Sequence, residues 1–266
     1  MHAFKKPPIQ KCLIFLEILV LFYSCRTTPV LYYPNALNMP LASEKHELKV
    51  TASYGSDGIG FRGSYAVDSH LLIYANGCFI GNGWRWKLNN PENTIVGAGV
   101  GYYTKFEGHG RLDIMAGAGY LTTNSQTNNH FIEFFSNAPD SNENLHIIAK
   151  FFSGSLQANL GYVSENVCFG FGLRFTNLYL NGNYFATYTD QKTNNFLSQK
   201  IIPLKGNSLF VEPGFAISYG NKDFKVTADF GLSYQNNGFK IDGFYGPLYS
   251  SPFVTLGISL NLFNGY

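Results

Sequence analysis

Between Lys150 and Tyr179 the sequence alternates in two long stretches, and no other feature restricts the fold as much. Phe152, Leu156, Ala158, Leu160 and Tyr162 fall on one side; Ser153, Ser155, Gln157, Asn159 and Gly161 fall on the other. After Ser164-Glu165-Asn166 the phase switches. Val167, Phe169, Phe171, Leu173 and Phe175 now form the apolar set, against Cys168, Gly170, Gly172, Arg174 and Thr176. A period of two belongs to strands with unlike faces. Each stretch runs about a dozen residues, whereas ordinary strands have about 5–6. Long strands with one greasy face predict an all-β chain: a transmembrane antiparallel up-and-down β-barrel.

Other segments repeat the pattern. Expected strands cover 47–55, 58–67, 70–80, 94–104, 110–121, 150–163, 166–180, 208–219, 222–235 and 252–263, about ten in all. Val96, Ala98, Val100 and Tyr102 oppose Gly97, Gly99 and Gly101. Phe224, Val226, Ala228, Phe230, Leu232 and Tyr234 oppose Lys225, Thr227, Asp229 and Gly231. Lys150, at a strand end, is the one charge on the apolar side. Connections alternate in length. Turns at 68–69, 105–109, 164–166 and 220–221 are short; those after the third, fifth, seventh and ninth strands take roughly 12, 28, 28 and 16 residues. Outer-membrane barrels have short periplasmic turns and longer outer loops, so both chain ends are expected on the periplasmic side. Charged residues are 14% of the chain, against about 25% in soluble domains. That suits an exterior in lipid. A net charge of +2 without a Lys/Arg-rich block gives no reason to expect nucleic acid as a partner.

Three domains are expected: a signal peptide at 1–24, a periplasmic linker at 25–46 and the barrel at 47–266. Lys5, Lys6 and Lys11 precede an apolar run from Cys12 to Phe22, of export-signal length. Ser24-Cys25 resembles a bacterial lipoprotein cleavage site, which implies lipidation at Cys25. The linker carries Pro29, Pro34 and Pro40, which break regular structure. Tyr33-Pro34-Asn35-Ala36-Leu37-Asn38-Met39-Pro40-Leu41, followed by Glu44-Lys45-His46-Glu47, resembles a group of outer-membrane barrel proteins of the Bacteroidota type. Phe210-Val211-Glu212-Pro213-Gly214 adds to that similarity. The resemblance implies an outer-membrane barrel (lipo)protein and transfers no activity, cofactor or catalytic residue.

No catalytic, cofactor or metal site is expected. Gly97-Ala98-Gly99-Val100-Gly101 lies within a strand and lacks the helix a nucleotide loop needs. The six histidines are too scattered for a ligand set. His130 or His146 with Asp140 could serve a rim enzyme. Trp84-Arg85-Trp86 and the group Phe131, Phe134 and Phe135 fall in outward loops, where binding concentrates. The one constellation above background is a luminal charge network: Lys49, Arg62, Arg111, Arg174 and Lys225 facing Asp113, Glu212 and Asp229. It fills a narrow interior, or lines a small path for solutes or ions.

The expected role is therefore a non-enzymatic outer-membrane scaffold or adaptor, with outer-membrane lipid and other envelope proteins as partners. A narrow channel is the alternative, and a rim enzyme is the third reading. Because a period of two does not tell inside from outside, a soluble lipocalin-like barrel with the apolar face inward is the remaining alternative.

Overall fold

The alternating stretches pair with antiparallel neighbours until the last meets the first. The computed structural model describes residues 32, 34–56, 58–80, 92–106, 108–129, 141–190, 196–235, 240–241, 244–245 and 251–262. The strands are β1 (Leu48–Gly55), β2 (Gly58–Ala66), β3 (Leu71–Ile80), β4 (Glu92–Lys105), β5 (Gly110–Asn129), β6 (Ser141–Val163), β7 (Val167–Asp190), β8 (Phe196–Gly220), β9 (Phe224–Gln235), β10 (Lys240–Ile241), β11 (Phe244–Tyr245) and β12 (Ser251–Leu262). Ten of them close a barrel in the order β1-β12-β9-β8-β7-β6-β5-β4-β3-β2; β10 and β11 form a separate two-stranded sheet. Closure runs from Leu48 opposite Leu262 to Gly55 opposite Thr255. The short turns after β2, β4, β6 and β8 gather at one end, while the two-residue connection from Gly55 to Gly58 lies at the other. In the turn after β8 Asn221 Oδ1 accepts hydrogen bonds from the backbone N–H groups of Asp223 and Phe224, the local bonding that makes asparagine a turn residue.

The greasy stripe points outward. Phe61, Ile114, Leu156, Phe171, Phe215, Val226 and Leu256 are exposed, while Arg62, Asp113, Arg174, Glu212, Lys225 and Asp229 are buried. An apolar surface encircling a molecule far exceeds the few hundred Å² a soluble monomer tolerates. Acyl chains match it. This arrangement excludes the lipocalin-like alternative, which requires the opposite facing.

Aromatic residues set the height of the apolar band. Tyr162 and Phe152 on β6, Phe169 and Tyr179 on β7, and Phe224 and Tyr234 on β9 are all outward-facing and exposed. Each pair is separated by ten positions. Ten steps of about 3.4 Å, on strands tilted by about 40–45°, span about 25 Å, the height of a transmembrane barrel's lipid-facing band. Lys150 lies two residues beyond Phe152, outside that band, so its exposed charge meets no hydrocarbon.

Four strands outrun the expectation. The connections expected at 122–149 and 181–207 are largely strand: β5 continues to Asn129, β6 begins at Ser141, β7 ends at Asp190 and β8 begins at Phe196. Polarity changes there while pairing persists. On β7 the outward residues become Asn177, Asn181 and Asn183, and the inward ones become Leu178 and Leu180. The same inversion places Leu121 of β5 opposite Phe151 of β6, and Phe151 opposite Leu180 of β7, all buried. A wall of four strands thus stands above one side of the barrel mouth. The small sheet of β10 and β11, in the 236–250 connection, was likewise not expected. Trp84-Arg85-Trp86, His130, Phe131, Phe134, Phe135 and Asp140 lie outside the described residues.

Leu256 faces lipid near the middle of the band. Leu256→Arg is expected to cost about 2–4 kcal/mol, measured by denaturant unfolding from lipid vesicles, and Lys150→Ala close to nothing.

Candidate functional site

The lumen of a barrel is wet unless something occupies it. Eight strands give an interior that side chains just fill; ten leave additional room. Here that room holds the chain's own N-terminal segment. Residues 25–46 are expected from their prolines to be a periplasmic linker. The described part, Tyr32 and residues 34–46, instead runs through the barrel, with Tyr32, Asn35, Ala36, Leu37, Asn38, Met39, Leu41 and Ala42 buried. Prolines bar the segment from the sheet but not from the lumen, because side chains of the wall meet its carbonyls.

The contacts climb in order. Lys45 at the base pairs with Asp68 in the turn between β2 and β3, Nζ–Oδ1 3.2 Å. The Ser69 backbone N–H on that carboxylate, and then Lys45, hold the pKa of Asp68 below the usual carboxylate range. Arg111 Nε donates to Ser43 Oγ, 3.1 Å, and the Leu41 N–H donates to Asp113 Oδ2, 2.8 Å. Lys49 Nζ donates to the Pro40 carbonyl, 3.1 Å. The Asn38 carbonyl accepts from Gln157 Nε2 at 2.6 Å and from Asn159 Nδ2 at 3.1 Å. Arg62 Nη1 donates to the Leu37 carbonyl, 2.7 Å, and Arg174 Nη2 to the Asn35 carbonyl, 3.0 Å. At the top the Tyr32 hydroxyl donates to Glu212 Oε1, 3.0 Å, and its ring packs on Phe210 with centroids 4.7 Å apart.

Glycines shape the wall to this thread. A Cβ at Gly161 would strike Leu41, one at Gly172 would strike Leu37 and Met39, and one at Gly214 would strike Leu37. Leu37, Met39 and Leu41 make a buried apolar cluster with Ala36, Ala216 and Phe253. Leu41 holds a left-handed backbone, φ 47°, which costs a non-glycine residue roughly 1–2 kcal/mol. The Asp113 bond and the glycine-lined recess offset that strain.

The structure sorts the eight charges expected in the lumen into two kinds. Arg62 and Asp229 form one ion pair, Nη2–Oδ2 2.5 Å, and Arg174 and Glu212 another, Nε–Oε2 2.7 Å. Lys49, Arg111, Asp113 and Lys225 have no salt bridge among the described residues; the first three hold the thread. Lys225 donates to the Ser164 carbonyl, 3.0 Å, and touches Cys168 Sγ, 3.0 Å. Glu212 is fully buried and also accepts from Thr176 Oγ1, 2.6 Å, and Ser233 Oγ, 3.1 Å. Asp229 takes a further bond from Thr255 Oγ1, 2.9 Å. The alternation places Thr176, Gln157 and Asn159 on the inner face without marking them as partners of the charges, and Tyr32, Ser233 and Thr255 carry no charge to mark them either. A run of inward-facing glycines opposite a segment of Asn, Leu and Met was the signal that could have found the thread.

The imagined enzyme rim finds no assembled site in the described residues. His146, expected in a loop, sits in β6 and shares a 2.7 Å hydrogen bond from Nε2 to Asn124 Oδ1. Cys78 and Cys168 are buried. Cys25 lies outside the described residues.

These features define a transmembrane up-and-down β-barrel whose lumen is filled by its own chain. No protein-family model matches it, and no curated protein does. Among solved structures it is similar to the translocator domain of autotransporter NalP from Neisseria meningitidis, with 10% identity over 81% of this chain and 86% of that one, TM-score 0.38. It is also similar to the P. putida toluene transporter TodX (13%, 85% and 72%, TM-score 0.39) and to Acinetobacter baumannii CarO2 (10%, 83% and 100%, TM-score 0.25).

Glu212→Ala leaves Arg174 buried without its counter-ion. Unfolding in detergent micelles is expected to show a loss of about 3–5 kcal/mol. Replacing both partners with apolar residues, Arg174→Met with Glu212→Leu, is expected to recover most of it.

Proposed function

We propose that this is a plugged, non-enzymatic barrel of the bacterial outer membrane, its short turns periplasmic, acting as a scaffold or adaptor. The observation that carries the reading is the filled lumen. Cavities of about 30 and 40 Å³ remain beside the thread. At about 10–15 Å³ per water, each holds only a few molecules. The buried carboxylates of Glu212 and Asp229 are committed to structural donors, which leaves them no free role in catalysis. The wall of β5 to β8, rising beyond the aromatic girdle, supplies a surface for envelope partners. Its outer face mixes exposed Asn181, Asn183 and Lys205 with exposed Ile148 and Ile201, a polar and apolar mixture suited to contact with another protein.

A gated conduit is the second reading, and one observation favours it. Leu41 is strained at the foot of the thread, so a partner that withdrew the segment would recover that cost. Planar-bilayer recording separates the two. Intact protein is expected to give no unitary steps, and a variant lacking residues 32–42 is expected to give steady, salt-dependent conductance. Discrete openings by the intact protein would instead establish the channel.

A further inference from the structure

The thread has a direction, and the direction has a consequence. Its base, residues 43–46, lies at the short-turn end, where the His46 N–H donates to the Ala66 carbonyl at the end of β2. From there its contacts on β7 rise from Gly170 to Gly172 to Arg174. Tyr32 packs on Phe210, which pairs with Thr176. Measured along β7, Thr176 is seven residues above Phe169 of the lower aromatic girdle and three below Tyr179 of the upper one. With the same rise and tilt, Tyr32 is about 17 Å from the short-turn boundary and about 7 Å from the other.

We infer that the chain is threaded through its own barrel, so that whatever precedes Tyr32 leaves by the long-strand mouth, opposite the short turns. A return to the short-turn end would need a second strand of backbone beside residues 34–46. Among the described residues the two cavities that flank it, about 30 and 40 Å³, hold a few waters and no peptide. Passing the upper boundary takes only about three extended residues. Cys25 is seven positions before Tyr32, within about 25 Å of it. With the short turns periplasmic, as in the proposed function on which this rests, a lipid on Cys25 is anchored at the cell surface, not in the inner leaflet beside the turns.

The test places a protease recognition sequence between Thr28 and Pro29 of the full chain, and separately at Glu165 in the turn between β6 and β7. Folding of each variant is verified by heat-modifiable gel migration. An insertion after Asn221 replaces the Glu165 variant if that one fails to fold. Protease added to intact cells is expected to cut at Thr28 and to cut the turn only after the outer membrane is permeabilised. The reverse pattern keeps the threading and overturns the periplasmic assignment of the turns. Both sites cut, or both protected, in intact cells overturns the threading itself. Recovery of the chain in the soluble fraction removes the membrane reading beneath it.

Discussion

A carboxylate inside a membrane-spanning barrel is costly unless donors surround it, and Glu212 shows how this chain supplies them. Its two oxygens accept from four groups: the Arg174 guanidinium, the Thr176 and Ser233 hydroxyls, and the Tyr32 phenol. Those donors come from β7, β9 and the N-terminal thread. The acid therefore ties three parts of the chain far apart in sequence at one buried point. A burial penalty of several kcal/mol per ion becomes tolerable only when this set is complete. The interior is thus specific in a way that a layer of alkyl groups would not be.

The thread and the wall depend on one another. Arg62 and Arg174 each neutralise a carboxylate and also hold a backbone carbonyl of the thread. Gly161, Gly170, Gly172 and Gly214 leave the volume that Leu37, Met39 and Leu41 occupy. On the other flank of the lumen, Gly97 and Gly99 of β4 and Gly117 of β5 make the corresponding space for Asn76 and Tyr74 of β3. Small residues on the inner face are therefore half of a fit whose other half is supplied from outside the sheet.

Strand period and facing were legible from residues because lipid imposes a one-sided rule. Leu256 between Thr255 and Gly257, or Phe171 between Gly170 and Gly172, leaves no doubt about which positions share a face. Where the solvent changes, the rule changes, and legibility ends. At Asn177 and Leu178 the polarity inverts while the backbone pairs on, so a reader tracking one greasy face stops near Tyr179. The lumen was half legible. Charges such as Arg62 and Asp229 announce themselves by standing among small residues in a strand. The segment from Pro34 to Leu41 has no period and several prolines, so it reads as a tether. Only the register of the closed sheet reveals that its carbonyls meet Gln157, Asn159 and the two arginines. Partners separated by 119 or 139 positions leave no local trace in a single sequence.

The join between β1 and β12 bears on how such a molecule can be made. Those strands are the first and last of the ring, and the threaded residues lead directly into β1. Sliding a peptide through a finished cylinder would drag Tyr32, Asn35 and Asn38 past every partner they would later hold. The simpler history is that the wall rolls up around the peptide, as a sheet is rolled on a mandrel, and that zipping Leu48 against Leu262 is the final act. Contacts so remote in sequence form slowly, and until that seam shuts the peptide, which meets Lys49 of β1 and Phe253 of β12, ties the two open edges to a common axis.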